Sequence, residues 1–402
     1  MRPSKQPGPA EFTAIATLLM ATISLSIDVM LPALGRMAEE LGAADDNQRQ
    51  LVIIVLFLGL AVGQLVFGPL SDAIGRRPAI TLGAALFVIG GVICATAQSF
   101  EVLLAGRLVQ GLGAAGPRIA TVALIRDRFE GAAMARVMSI IMGIFIMVPV
   151  LAPSIGQALL VFMSWRWLFG ILSSICVIGT TWLLLRQPET LATKRKLKLV
   201  LLLSAAGEVV RDARAMAFTI AGGLCYGALM GYINSSQQLF QDVYDVGDLY
   251  AVLFGAAALF ISAATLTNAR LVKRFEMDLI CKGAVAILAA FSALILAYMA
   301  LTGERPALWL FMVFNCPALF LLGLTFGNFN AIALERLGHI AGLAAAVTAS
   351  LQTLIGVVVA GAIGLSFNMT VFPIFVGYAA CGAVALVLMQ LPAAQIPRQA
   401  IG

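Results

Sequence analysis

The sequence predicts an all-α membrane protein of twelve helical spans, six on each side of one long connection. Three observations predict it. Of 402 residues, 61% are hydrophobic and only 11% are charged, with a mean hydropathy of +0.99. A soluble core of that size would need a polar shell that this composition cannot supply. Apolar runs of about 20 residues recur from end to end, the length that crosses a bilayer as a helix whose backbone satisfies its own hydrogen bonds. The one long connection, residues 186–213 (RQPETLATKRKLKLVLLLSAAGEVVRDA), has six such runs before it and six after. The halves are offset by about 200 residues, which hints at internal duplication.

The spans are read in order as 12–34, 48–70, 78–98, 101–124, 135–161, 166–185, 214–238, 248–268, 280–301, 307–333, 342–366 and 370–390. The domain organisation follows: an N-terminal six-helix bundle over 1–185, a linker over 186–213 and a C-terminal six-helix bundle over 214–402. The start, with Arg2 and Lys5 before an apolar run, imitates a signal peptide. A run of about 22 residues is too long for that, so it reads as an uncleaved first helix. Lys and Arg residues orient the chain. With the N-terminus cytoplasmic, 20 fall in the inner segments and 4 in the outer loops, Arg107 and Arg118 lying inside span 4. That asymmetry places both termini on the cytoplasmic side of the inner membrane. The stretch LVLLLSAAG in the linker is too short to cross, and a crossing there would invert the second half. It reads as a helix lying along the inner surface.

The formal charge of +6 does not point to nucleic acid, because the basic residues are dispersed in short loops and form no stripe. The expected partners are the lipid bilayer, protons and a small drug-like molecule, with the chain acting as a monomer. Cys94, Cys176, Cys225, Cys281, Cys316 and Cys381 fall in separate apolar runs without a C-x-x-C, so they read as small hydrophobes; no metal site or cofactor is expected. The single His339 reads as a surface residue of a loop. One histidine in all, with no G-x-S-x-G and no H-E-x-x-H, argues against an enzyme.

Of the twenty carboxylates, only Asp28, within SLSIDVMLPAL, lies well inside a span. At that depth a charge costs roughly 2.5–3.5 kcal/mol on insertion scales, and an intramembrane acid is read first as functional. Pro32, four residues on, cannot donate to the Asp28 carbonyl, so the helix bends beside the acid and leaves an acceptor open. The competing reading is an Asp paired permanently with a helix neighbour, for which Ser24 and Ser26 are the nearby candidates.

Span 4, within RLVQGLGAAGPRIATVALIRDRF (107–129), carries Arg107, Gly111, Ala114 and Arg118 on one stripe, within about 60° of each other at 100° per residue. The two arginines are about 16 Å apart along the axis. Because an arginine facing lipid is disfavoured, the stripe is expected to face water or a partner group; Arg118 either lines a cavity or snorkels to the inner surface. In span 5, GIFIMVPVLAPSIGQAL, Pro149 and Pro153 each remove a helix hydrogen bond. Between spans 2 and 3, in GQLVFGPLSDAIGRRP, Gly68 and Gly75 permit tight backbone approach, and Arg76 and Arg77 hold the turn to the inner face.

That turn resembles the G-x-L-x-D-x-x-G-R-R signature of the major facilitator superfamily, in which the loop Asp latches the two halves in the outward-facing state. The resemblance gives Asp72 that gating role. In the second half, NARLVKRFEMD keeps the basic residues but not the Asp, implying a one-sided latch. Span 4 is similar to the R-x-x-Q-G-x-G signature of proton-coupled members. Span 5 is similar to the antiporter signature, with Pro153 and Gly156 in place but Ala152 and Gln157 where glycine is usual. SIDVMLPAL, GQLVFGPLSD, ALIRD, APSIG with WRWLF, and GNFNAIALERLGHIAGLAAAV together resemble the Bcr/CflA drug-resistance transporters. This implies two six-helix bundles opening alternately to each side, and proton-coupled export of small amphipathic compounds. Asp28 would be the proton and cation site, with Arg107 at its charge. Met20 stands where some relatives carry a second acid, implying one membrane carboxylate. Arg118, Phe145, Met147, Tyr226 and Asn234 are further cavity candidates, the apolar ones giving adaptable walls; taken one by one, Phe145, Met147, Tyr226 and Asn234 read first as helix packing. The alternative is export or import of a polar metabolite such as an amino acid or small peptide.

Overall fold

The computed structural model describes residues 6–191 and 199–391 and divides into two compact units between residues 199 and 200. The first contains α1 (Pro9–Asp28), α2 (Leu34–Glu40), α3 (Leu51–Ile74), α4 (Arg76–Ala95), α5 (Phe100–Arg128), α6 (Gly131–Phe162) and α7 (Trp165–Arg186). The second contains α8 (Leu199–Arg211), α9 (Ala213–Gln237), α10 (Tyr250–Leu271), α11 (Met277–Thr302), α12 (Leu308–Leu334), α13 (Ala341–Leu365) and α14 (Phe372–Gln390). Among the described residues, eleven helices are long and apolar enough to cross a membrane, α1 and α2 counting as one span; α6, at 32 residues, is the remaining long helix of the first unit. The all-helical fold expected from the sequence is therefore the one observed.

Span 1 differs from the continuous helix expected over 12–34. It stops at Asp28, passes through Val29 and Met30 into a single 3₁₀ turn at Leu31–Ala33, and resumes as α2. Pro32 is the physical reason, since it has no N–H to continue the ladder.

In the first unit the packing rests on small residues, which let helix backbones approach where lipid gives no hydrophobic drive to associate. A Cβ on Gly63 of α3 would lie 2.7 Å from the Leu112 carbonyl, and one on Gly83 of α4 would lie 2.7 Å from both the Gly113 carbonyl and the Gly116 Cα of α5. Gly83→Leu is therefore expected to force α4 from α5 at a cost of about 1–3 kcal/mol. Thermal unfolding in detergent would read this as a lowered midpoint, and an unchanged midpoint would show that the seam tolerates the extra volume.

In the second unit α9 lies on α13, with Gly223 and Gly231 facing Ile355 and Ile363. The end of α9 widens into a π-helical turn at Gln238–Val243. Asn268 of α10 and Asn328 of α12 exchange two amide hydrogen bonds at 3.0 and 2.9 Å, and the Tyr378 hydroxyl donates to Asn315 Oδ1 at 3.1 Å. The turn after α12 is tied to α8 and α9 by Glu335–Arg214 at 3.5 Å and by His339–Glu208 at 2.6 Å. His339 is exposed, as its loop position suggested, but it has this acidic neighbour. All six cysteines are free and buried.

Candidate functional site

Asp28 is the last residue of α1 and only 3% exposed. Its Oδ2 accepts a 2.8 Å hydrogen bond from Ser24 one turn earlier, a spacing that places both side chains on one helix face. Gly156 of α6 sits on the helix break directly after Asp28; a Cβ there would lie 3.0 Å from the Val29 carbonyl carbon and closer still to its oxygen. The Pro–Gly spacing of span 5 thus brings a side-chain-free position to the interruption that Pro32 causes in span 1.

Arg107 is completely buried, and its guanidinium joins three helices. Nη2 donates to the Ser26 carbonyl of α1 at 3.1 Å, Nε to the Val52 carbonyl of α3 at 3.0 Å, and Nη1 to Gln110 Oε1 of α5 at 2.9 Å. The guanidinium carbon also lies 5.4 Å from the Phe169 ring centre of α7. The Ser26 carbonyl is open to it because the helix tightens here, Met30 N–H donating to Ile27 instead. This differs from an Arg107 placed at the Asp28 charge. Among the described residues the two form no ion pair, because each has nearer partners, and the connection runs through the α1 backbone.

Arg118 stands eleven residues further along α5, on the same face, and is half-buried. Among the described residues it has no hydrogen bond and no ion pair. The side chains of Phe145 and Pro149 lie outside the described residues; Met147 is 41% exposed, while Pro153 and Gly156 are buried. In the second unit Tyr226 meets Phe326 edge-on at 6.2 Å. Asn234 is 2% exposed, with neither amide atom hydrogen-bonded among the described residues.

The turn between α3 and α4 forms a second cluster. Gly68 and Pro69 lie in the last turns of α3, and Gly75 has a φ of +115°, which a side chain would strain. Arg76 Nη1 donates to Asp72 Oδ1 at 2.5 Å and to Ser71 at 2.9 Å, and its Nε donates to Asp127 Oδ2 of α5 at 3.0 Å. Arg77 donates to the Leu184 carbonyl of α7 at 2.5 Å. Asp127 and the α7 end were not singled out from the sequence; the only signal was the RD pair closing span 4. In the second unit Asn268, in the last turn of α10 before the corresponding loop, holds Asn328 through neutral amides, where the first unit uses charges.

Asp72 is 39% exposed at its side chain, so its ion pair adds about 0.2–1 kcal/mol to folding, and Asp72→Asn should leave insertion and expression intact. The same energy, if present in one transport state only, shifts a two-state balance up to about five-fold. Transport by Asp72→Asn is expected to fall by that order. Full transport at normal expression would show that the turn only sets topology.

The sequence profile of the Major Facilitator Superfamily matches residues 15–361, and the chain belongs to that superfamily. It is 27% identical to the uncharacterized MFS-type transporter YdgK of Bacillus subtilis, over 90% of both chains. It is 25% identical to a bicyclomycin resistance protein homolog of Haemophilus influenzae, over 93% of this chain and 95% of that one. The likeness to the Bcr/CflA type read from the sequence is therefore found again in relatives named for drug resistance. Among solved structures, a D-xylose-proton symporter superposes with a TM-score of 0.74 over 96% of this chain and 98% of its own, at 14% identity, which shows the shared fold. The protein is a multi-pass membrane transporter for a small molecule and not an enzyme.

Proposed function

We propose that the chain exports small amphipathic compounds across the inner membrane in exchange for protons, by alternating access, with both termini cytoplasmic. The observation that carries this reading is Asp28: a buried carboxylate at a helix break, held by one serine hydroxyl and no cation among the described residues. A carboxyl so placed has little to fix its charge, and its protonation follows the side to which it opens. From the outside it takes a proton, and the neutral form permits return. Inside, the proton leaves and a neutral or cationic compound binds against the restored carboxylate. Arg107 keeps the α1 break in shape through Ser26, and Gly156 supports it from α6. The turn at Asp72 sets the balance between states.

Arg118 favours a second reading. A half-buried cation with no hydrogen bond or ion pair among the described residues is suited to an anionic group on the transported compound, as in a zwitterionic metabolite. A drug panel on cells stripped of their own exporters, with and without this chain, separates the two. Export predicts raised resistance to apolar and cationic compounds. Unchanged resistance together with altered accumulation of amino acids or peptides would favour the second reading.

A further inference from the structure

We infer that Glu189, in the connection leaving α7, is a positioning residue of the α3–α4 gate: it closes the start of α4 from a distance and couples the linker to the gating turn. The inference rests on the gate reading of Asp72. A helix start leaves backbone N–H groups without partners, commonly satisfied by a Ser, Thr, Asp or Asn at the N-cap. Here the N-cap is Gly75, whose positive φ excludes those residues and which has no side chain to offer.

Glu189 supplies the missing acceptors from 113 positions away, Oε1 accepting from the Arg76 N–H at 2.9 Å and Oε2 from the Arg77 N–H at 3.0 Å. Its approach uses the space left by glycine, since a Cβ on Gly75 would stand 2.6 Å from Oε2. The neighbouring residues tie the same segment to α5: Gln187 Oε1 accepts from Arg128 at 2.6 Å, and the Thr190 hydroxyl donates to Asp127 Oδ2 at 2.8 Å. Asp127 is also the partner of Arg76. Residues 187–190 therefore form a strap across the ends of α4 and α5, and displacement of the α7 end would uncap the turn.

Partial burial pushes the Glu189 carboxyl up, but the N–H groups of Arg76, Leu191, Arg77 and Thr190 outweigh it and hold the carboxyl below the usual range. A group lowered in this way contributes its interaction above its ordinary value and loses it only as pH falls through the lowered one. The strap is thus intact throughout about pH 6–8.

The test places a reporter, Ala73→Cys, in the full-length protein and measures its reaction with a membrane-impermeant maleimide alongside transport, the native cysteines being buried. Glu189→Ala is expected to raise labelling about three-fold and lower transport similarly, the effect of a lost cap on a two-state turn. Glu189→Gln, which keeps an accepting oxygen and the side-chain length, is expected to recover part of both, and it serves as the test if Glu189→Ala fails to accumulate. Because the reporter reacts as its thiolate, labelling itself rises with pH, but the ratio of Glu189→Ala to wild-type labelling at equal pH should not vary between about pH 6 and 8. Unchanged labelling and transport in Glu189→Ala beside an impaired Asp72→Asn overturns the inference alone. If both variants behave as wild type, the gate reading falls and the inference with it.

Discussion

Arg107→Ala is expected to abolish transport and to lower the thermal stability of the protein, while Arg107→Lys recovers part of the fold and less of the transport. The side chain is fully buried, and its three hydrogen bonds end on three different groups in α1, α3 and α5. Truncation leaves the Ser26 and Val52 carbonyls without this donor in a dry interior, at about 1–3 kcal/mol for each group left unsatisfied. Relief of the buried charge offsets part of that cost. A lysine keeps the charge but offers its donors from a single point, so it cannot span the Ser26 and Val52 carbonyls as the planar fork does. Detergent melting curves and transport at matched expression check both variants. Arg107→Ala transporting as wild type would remove the residue from the mechanism.

Asp28→Asn is expected to insert and fold normally but to lose uphill, gradient-driven transport at least ~10-fold, with cationic compounds affected first. Asparagine is nearly isosteric, and its Oδ1 can still accept from Ser24, so the packing against the α1 break survives. What it lacks is the ability to ionise. Proteoliposomes with an imposed pH gradient check this. An Asp28→Asn protein that moves drug uphill at the wild-type rate would make the acid a packing element.

The helical architecture was legible because lipid permits so few backbone solutions, so that recurrent apolar runs of about 20 residues suffice to predict it. The break in span 1 was legible as a bend, since Pro32 forbids a particular hydrogen bond, but not as a stop at Asp28 followed by a 3₁₀ turn. The stripe geometry put Arg107 and Arg118 on one face, yet it could not say that Arg107 spends its donors on backbone carbonyls of two other helices. Those carbonyls carry no signal in sequence, because every residue has one. Glu189 was hidden for a related reason: its partners are main-chain N–H groups 113 and 112 positions away, in a segment whose composition reads only as linker. Gly156 was recognised through its motif, but its contact with Val29 depends on how α6 meets α1, which spacing along one helix does not determine.

Drug-induced proton release from the purified protein tests most directly the claim that substrate and proton compete at Asp28. If they do, their binding is reciprocally linked, and a saturating cationic amphiphile added to unbuffered wild-type protein should release about one proton per drug bound. Asp28→Asn should bind neutral compounds and release none. Equal release from both proteins, or drug binding by the wild type without release, would contradict the account.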